Sequence, residues 1–320
     1  MIKYLERLSQ FKLQLSISTI LVATWVLFII GSPRTFLRPE IYHSFMSTIP
    51  FSAIMALALT LIVISGEIDL SFPSIMGFSG WVFTTLFFLT QNIVLALGIS
   101  LIVGLLAGLF NGILVVKIRI PSLIATIGTM FFWRGVVMVC TGGWGKTLVP
   151  TKGTALFNAL VGRIGGEVPA QMVWTVVFAV FLWVILNRHK FGSHVYFIGD
   201  NEESAKMMGI RVGRVKMVVF AQLGFFAAFA GILSSLEVLY YWPTLGQGYL
   251  LKTMAAVFLG GTSVFGGTGT IFGTFIGAFI IGSLEAGIVS MGLTGFWTQL
   301  IYGLIIIISL SVYSFLRKEA

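Results

Sequence analysis

The sequence predicts an all-α polytopic membrane protein with about ten transmembrane helices, some of them broken or re-entrant, and with both termini cytoplasmic. Composition and long apolar runs predict the class, and the distribution of Lys and Arg predicts the sidedness. Of the 320 residues, 57% are hydrophobic and only 10% are charged. A soluble domain carries about 25% charged residues. The chain therefore has too little charge to cover its surface, and its solvent must be largely lipid.

Ten apolar runs have the length that a membrane span requires, about 17–25 residues. The predicted spans are 15–31, 49–65, 74–90, 93–115, 122–140, 171–187, 218–236, 249–265, 270–290 and 297–315. Each is expected to be a helix, because lipid offers backbone groups no hydrogen bonds and the runs are too long for barrel strands. The first run follows Lys3, Arg7 and Lys12 but has no small-x-small cleavage site after it. We therefore interpret it as a retained span.

The positive charges set the orientation of these spans. With the N-terminus inside, the inside segments are 1–14, 66–73, 116–121, 188–217, 266–269 and 316–320. They hold 13 Lys or Arg, whereas the outside segments hold five. Cytoplasmic loops carry an excess of Lys and Arg, so this bias favours both termini inside. The same rule explains the net charge of +9 without a nucleic-acid partner.

Two polar stretches, 65–74 and 260–269, combine Gly or Pro with charged or hydroxyl side chains inside apolar sequence. Irregular backbone at membrane depth survives only against protein or a water-filled path. Their polar members are the candidates for lining or gating such a path: Glu67, Asp69, Ser71, Thr262 and Ser263. For Glu67 and Asp69 a helix-capping role stays open. The chain is interpreted as one transmembrane domain, 1–320, in which broken segments at corresponding places suggest an internal duplication with halves about 49–140 and 218–315.

Glycines recur every four residues in two of the spans. The two stripes are Gly104, Gly108 and Gly112, and Gly269, Gly273 and Gly277. Small residues at this spacing let a second helix backbone approach closely. The pattern predicts tight helix packing, but leaves open whether the partner helix belongs to the same chain or to a second copy.

Known catalytic and ligand-binding patterns are missing from the sequence. The tripeptide 145–147, Gly-Lys-Thr, resembles the end of a phosphate-binding loop, but that loop needs Gly where this chain has Cys140. The histidines His43, His189 and His194 lack metal-ligand spacing and any hydrolytic arrangement. The sequence therefore predicts no catalytic residue, no cofactor and no metal ion.

A polar segment, 188–217, separates the sixth and seventh predicted spans and holds six Lys or Arg and three Asp or Glu. The spans themselves carry almost no ionisable residues of the kind that a proton-coupled carrier keeps in mid-membrane. Energy for uphill transport would then enter through another polypeptide. The polar segment is the predicted docking site for that partner.

Five short motifs, in order over about 60–315, resemble those of permeases of the ribose/xylose/galactose-type ABC importers. They are GEIDLS at 66–71, NG at 111–112, IPSLIAT at 120–126, GDNE at 199–202 followed by Ala205 and GI at 209–210, and GGTS at 260–263 with GGTG at 266–269. The chain departs from that pattern at Glu67 and at Phe72 and Pro73, where the family has Gly and Val-Gly, and at Ser204, where Ala is frequent.

The resemblance implies a multi-pass permease of the bacterial inner membrane, surrounded by lipid, that takes a sugar-type substrate. It implies three partner chains: a cytoplasmic ABC ATPase, a periplasmic substrate-binding protein, and a second permease, either identical or related. The residues that the resemblance assigns to coupling with the ATPase are Gly199, Asp200, Asn201, Glu202, Ala205, Gly209 and Ile210. The alternative is a secondary solute transporter driven by an ion gradient.

Overall fold

The computed structural model describes the backbone of residues 2–318 and the side chains of residues 14–309 and 311, so the side chains of Lys3, Arg7 and Lys12 lie outside the described part. The helices are α1 Ile2–Gly31, α2 Pro33–Phe36, α3 Pro39–Ile64, α4 Phe72–Thr90, α5 Ile93–Val116, α6 Ser122–Thr141, α7 Ala155–Val161, α8 Ala170–Arg188, α9 Lys190–Asp200, α10 Glu202–Met207, α11 Val212–Val238, α12 Tyr249–Leu259, α13 Ile271–Ser290 and α14 Phe296–Lys318. Four two-residue strands are β1 Lys146–Thr147, β2 Arg163–Ile164, β3 Val168–Pro169 and β4 Tyr240–Tyr241. Strand β1 pairs with β4 and strand β2 with β3, both antiparallel.

Eight of the described helices are long and apolar enough to cross a membrane: α1, α3, α4, α5, α6, α8, α11 and α13. The protein is therefore a multi-pass helical membrane protein, as the sequence predicts. Two further apolar helices coincide with predicted spans but are shorter in the described part, namely α12 and the stretch Phe296–Ser309 of α14.

Helix α12 corrects the predicted span over 249–265. It has 11 residues, which is about 16 Å at 1.5 Å per residue and far short of the hydrocarbon core of about 30 Å. The helix ends at Leu259 because the chain turns at Gly260 and Gly261, and Gly261 has a φ of +86°. The apolar run continues past this turn, so hydropathy alone overstates the helix.

Helix α3 is the centre of the bundle. Every residue from Ile49 to Ile64 is buried, and α11, α13, α8 and α12 pack around it. The burial of this whole stretch shows that neighbouring helices, and not lipid, cover every face of it. This central position brings the end of α3, and the broken segment that follows it, into contact with several other helices.

The first glycine stripe packs against α11 of the same chain. A Cβ on Gly104 would collide with Ala228, one on Gly108 with the Phe220 carbonyl, and one on Gly112 would lie 2.9 Å from the Met217 Cα. In the second stripe, Gly277 lies against the backbone of α12, Gly273 lies against Gly260 directly after that helix, and Gly269 lies against Thr262. Both stripes therefore have an intramolecular partner, which answers the question that the sequence left open.

The connections between helices sort to two ends of the bundle. At one end Glu67 contacts Lys216, and a Cβ on Gly199 would lie 2.5 Å from the Gly267 nitrogen. At the other end β1 pairs with β4, and Arg163 binds Glu237 at 2.6 Å. This division matches the predicted grouping of inside and outside segments.

Candidate functional site

The two predicted broken segments meet at one place, and the end of α9 is inserted between them. The Gly267 N–H donates to the Ile64 carbonyl at 2.9 Å. A Cβ on Gly199 would overlap that same carbonyl, and a Cβ on Gly266 would lie 3.0 Å from the Gly66 Cα. Three stretches of backbone thus contact each other through glycine, and none of them can move far without displacing the others.

A buried polar cluster lies in the first broken segment. Asp69 is 1% exposed. Its Oδ1 accepts hydrogen bonds from the Ser71 N–H at 2.6 Å and the Ser71 hydroxyl at 2.7 Å, and its Oδ2 accepts one from the Asn111 amide of α5 at 3.0 Å. The bond to the Ser71 N–H forms a local Asx turn before α4, while the bond to Asn111 ties this turn to α5. The residue at the N-cap of α4 is Ser71, whose side chain makes no capping hydrogen bond, so Asp69 supports the turn before the helix and makes a long-range contact.

The environment of Asp69 acts on its charge in two directions. Burial raises the pKa of the carboxyl above its ordinary value, and the hydrogen bonds from Ser71 and Asn111 oppose that rise. The Oδ1 atom of Asn111 is buried and has no hydrogen-bond partner in the described part of the chain. A buried polar atom without a partner is costly, so this cluster is a place where a different arrangement can satisfy more hydrogen bonds.

An ion-pair bridge connects the first broken segment to α10. The Lys216 ammonium lies 2.6 Å from Glu67 Oε1 and 2.6 Å from Glu202 Oε2. The Lys216 and Glu67 side chains are only 13% and 11% exposed. The hydrogen bond from Lys216 lowers the pKa of Glu202, although partial burial opposes it. Lys206 adds a second, more exposed contact to Glu202 at 3.0 Å.

Helix α10 is a short, capped helix within the polar segment. The Asn201 side chain accepts from the Ser204 N–H at 2.9 Å. Gly209, with a φ of +78°, ends the helix, and the Ile210 N–H returns to the Ala205 carbonyl at 3.1 Å. This is the helix-end pattern in which glycine adopts the left-handed conformation.

The predicted coupling residues differ in exposure. Asp200, Asn201 and Gly209 are exposed and Gly199, Glu202 and Ile210 are intermediate, whereas Ala205 is fully buried and cannot offer its side chain to a partner. The large exposed apolar side chains near α10 are instead Met207 and Met208, which are 82% and 56% exposed, with Phe197 of α9 at 47%.

The second broken segment forms a tight turn. The Ser263 hydroxyl accepts from the Phe265 N–H at 3.2 Å, and the Ser263 N–H donates to the Thr268 carbonyl at 3.0 Å. Thr262 is fully buried against Gly269. The Tyr196 hydroxyl of α9 donates to the Gly269 carbonyl at 2.8 Å. Thr262 and Ser263 therefore support this turn, and the turn meets the first segment through its glycines.

A comparison with protein families identifies the type of molecule. Residues 41–310 match the family described as branched-chain amino acid transport system / permease component. The chain belongs to this permease family. As a permease it is a transport subunit rather than an enzyme, and the match agrees with the resemblance that its motifs carry.

Curated relatives narrow the class of permease. The ribose import permease protein of Escherichia coli strain K12 is 33% identical over 283 residues, which cover 88% of this chain and 87% of the relative. That of Bacillus subtilis strain 168 is 34% identical, covering 86% and 85%. The autoinducer 2 import system permease protein of Klebsiella pneumoniae is 32% identical, covering 92% and 84%. These relatives confirm the predicted assignment to the permeases of simple-sugar importers and give no support to the ion-gradient alternative.

Sequence reasoning missed the residues that join the parts of this permease. In the sequence Lys216 is only one of the charges of the polar segment, and its partner Glu67 is 149 residues away. No sequence pattern points to Tyr196, whose hydroxyl contacts the second broken segment. Long-range pairs of this kind leave no local pattern in a single sequence.

Proposed function

We propose that this permease moves a small, neutral, hydroxyl-rich solute, a simple sugar or a close relative, inward across the bacterial inner membrane. A separate cytoplasmic ATPase would dock on α10 and the exposed Met207 and Met208. A periplasmic binding protein would deliver the solute, and a second permease would complete the path. The observation that carries the proposal is the Lys216 bridge, because it connects the ATPase-docking segment directly to a broken segment of the membrane domain.

The bridge supports a mechanical route from α10 to the membrane domain. When ATP binding brings two ATPases together, α10 is displaced. Glu202 moves with α10 and displaces Lys216, which in turn acts on Glu67 at the start of the Asp69 turn. The glycine contacts of Gly199 with the ends of both broken segments transmit the same displacement through backbone. A partner shifts the conformational equilibrium only through such differential contacts.

The solute class rests on the relatives, whose names specify ribose and autoinducer 2. The family description instead specifies branched-chain amino acids, so the two assignments have to be separated by experiment. The test uses cells in which this transport system is the only uptake route for the solute under study. We expect these cells to accumulate radiolabelled D-ribose, or another simple sugar that competes with it, and not to accumulate L-leucine. Uptake of L-leucine alone would reject the sugar assignment and leave the permease assignment standing.

The Lys216 bridge is tested by Lys216→Met, with Lys206→Met as the matched control. Methionine keeps the apolar length of the side chain and removes both ion pairs. We expect Lys216→Met to insert and to co-purify with the ATPase, but to lower solute-stimulated ATP hydrolysis and uptake by about tenfold, equivalent to about 1.4 kcal/mol of lost coupling. Lys206→Met removes only exposed pairs, which contribute little, and should stay close to the native rate. Equal effects of both substitutions would argue against this route.

A further inference from the structure

We infer that residues 240–248 form a re-entrant segment that lines the translocation path from the outer side, and that Arg134 is the positioning residue that holds this segment closed at rest. The inference rests on the proposed function, because a path presupposes a permease. The segment joins the end of α11 to the half-length helix α12.

The segment enters the bundle from the end that carries β1. Tyr240 and Tyr241 pair with the strand β1. Farther along, Leu245 occupies the space beside α4 that glycines leave free: a Cβ on Gly77 would lie 2.6 Å from the Leu245 oxygen, and one on Gly80 would lie 2.9 Å from Leu245 Cδ2. The chain then reaches the first turn of α4. It has therefore passed into the thickness of the bundle without forming a helix.

That depth is shown by the contact between Gly246 and Pro73. A Cβ on Gly246 would collide with the Pro73 carbonyl, and Pro73 is the second residue of α4. Helix α4 has 19 residues and is about 28 Å long. Its far end, Thr90, leads to α5 at the end of the bundle from which the re-entrant segment enters.

Arg134 satisfies the carbonyl groups of this non-helical backbone. Its Nη1 donates to the Pro243 carbonyl at 3.0 Å and to the Leu245 carbonyl at 2.9 Å. The Tyr241 hydroxyl adds a bond to the Gly77 carbonyl at 3.2 Å. Arg134 lies about 18 Å along α6 from Ser122, at 1.5 Å per residue. At such a depth a cation is kept only for a specific contact, and here the contact is with two carbonyl groups of one turn.

The re-entrant segment has a buried side and an exposed side. Pro243, Leu245 and Gly246 are buried, whereas Thr244, Gln247 and Gly248 are exposed. Irregular backbone at membrane depth survives against protein or beside water, not against lipid. Lipid is therefore excluded as the neighbour of the exposed side, and the proposal places this side along the aqueous path rather than against the second permease. Its hydroxyl and amide groups are uncharged donors and acceptors, which suit a neutral, hydroxyl-rich solute.

The first experiment asks whether the exposed side faces water. In a Cys140→Ser background, Gln247→Cys is compared with Phe131→Cys, in membranes of cells that express the complete transport system. Phe131 lies on α6 one turn before Arg134 and is 68% exposed, so it is the control for exposure to lipid. A charged methanethiosulfonate reagent should modify Gln247→Cys faster by about tenfold or more, because the reactive thiolate forms only in water. Equal rates, or a faster Phe131→Cys, would overturn the assignment of the path.

The second experiment asks whether Arg134 holds the segment. Leu245→Cys is the reporter and Ile54→Cys in α3 is the control, because both native side chains are fully buried. Arg134→Gln should raise the modification rate of Leu245→Cys by about tenfold, since loss of the two charge-assisted bonds is a loss of over 1.4 kcal/mol, and leave Ile54→Cys unreactive. Arg134→Lys keeps the positive charge but replaces the guanidinium fork with a single ammonium, so Leu245→Cys should then be modified at an intermediate rate. This variant replaces Arg134→Gln in the test if Arg134→Gln does not insert.

An unchanged modification rate of Leu245→Cys, or an equal rise in the modification rate of Ile54→Cys, would reject the role of Arg134. Co-purification of the ATPase from the same membranes separates the two levels of inference. If the ATPase co-purifies and the thiol results fail, only the re-entrant path is wrong. If the thiol results hold and no ATPase co-purifies, the proposed coupling is wrong instead.

Discussion

Asp69 holds an ionisable group at a place where burial disfavours its charge. The carboxyl lies between two spans, α3 and α4, and its hydrogen bonds to Ser71 and Asn111 fix the turn that separates them. The Asn111 Oδ1 atom beside this turn is buried and has no hydrogen-bond partner in the described part of the chain.

The raised pKa of Asp69 predicts a pH dependence of stability. A group whose folded pKa is raised contributes most below its unfolded pKa, and this contribution is lost as the pH rises through the folded pKa. We expect the melting temperature of the native protein, measured relative to Asp69→Asn in lipid nanodiscs, to fall as the pH rises above the ordinary pKa of an aspartate and through the raised pKa of the folded state. Asparagine keeps the shape and cannot ionise. A difference that is constant across this range, or that grows in favour of the native protein, would contradict the direction of the pKa shift.

Helices α5 and α11 illustrate how far sequence reasoning reaches at the scale of an element. The spacing of Gly104, Gly108 and Gly112 predicted a close helix contact, and the structure supplies α11 as its partner. The bounds of α4, α5, α6, α8 and α13 were predictable to within two residues, because an apolar run of sufficient length has to be helical in lipid. Helix α12 was not, since hydropathy does not register the turn at Gly260 and Gly261. For the same reason, hydropathy does not predict the re-entrant segment 240–248.

Within the site, the local backbone geometry was more predictable from the sequence than the long-range pairs of side chains. The residue types leave the cap of α10 open between Asp200 and Asn201, and the structure places it at Asn201. A glycine such as Gly209 is the residue type expected just past a helix end. The Lys216–Glu67 pair does not, because it depends on how α11 packs against the end of α3. The burial of Ala205 was missed for the same reason, since a six-residue helix has too few turns to define a buried face from its pattern.

The contact between α5 and α11 is tested by Gly108→Ala against Gly98→Ala. Both glycines lie in α5, but a Cβ at Gly108 collides with the Phe220 carbonyl, whereas one at Gly98 meets nothing within 4 Å. We expect Gly108→Ala to destabilise by about 1–3 kcal/mol through overpacking. Gly98→Ala should be neutral or stabilise by up to about 1 kcal/mol from helix propensity. Thermal unfolding in detergent measures both; a Gly108→Ala as stable as Gly98→Ala would mean that the helices can separate freely.

The helix end at Gly209 is tested by Gly209→Asp, with Gly209→Asn as the control. Both side chains meet a φ of +78°, which Asn and Asp tolerate better than other residues. Asp adds a negative charge at the C-terminal end of α10, where the helix dipole disfavours it. We expect Gly209→Asp to insert normally and to abolish uptake, and Gly209→Asn to keep most of it. Normal ATPase coupling in Gly209→Asp would refute the assignment of α10 as the docking element.

For the whole molecule, one geometric fact connects the separate arguments. Four parts of the chain meet at one end of the bundle: the C-terminal ends of α3 and α9, the N-terminal end of α11, and the turn before α13. The Lys216 bridge and the glycine contacts join them there. Each predicted half contributes one broken segment to this meeting and one glycine stripe to the packing. This arrangement is what an internal duplication over 49–140 and 218–315 would produce, and we retain the duplication as a proposal.

The sidedness of this end decides whether an ATPase can reach it. In a Cys140→Ser background, Met207→Cys reports on α10 and Lys152→Cys on the loop after α6; both native side chains are exposed. Positive charge retained on the cytoplasmic side predicts that a membrane-impermeant maleimide added to spheroplasts labels Lys152→Cys at once and Met207→Cys only after permeabilisation. Excess ATPase added to permeabilised membranes should then slow the labelling of Met207→Cys and leave Lys152→Cys unaffected. Labelling of Met207→Cys from outside would show that the orientation is opposite to the predicted one. It would then reject both the docking surface for the ATPase and the coupling route.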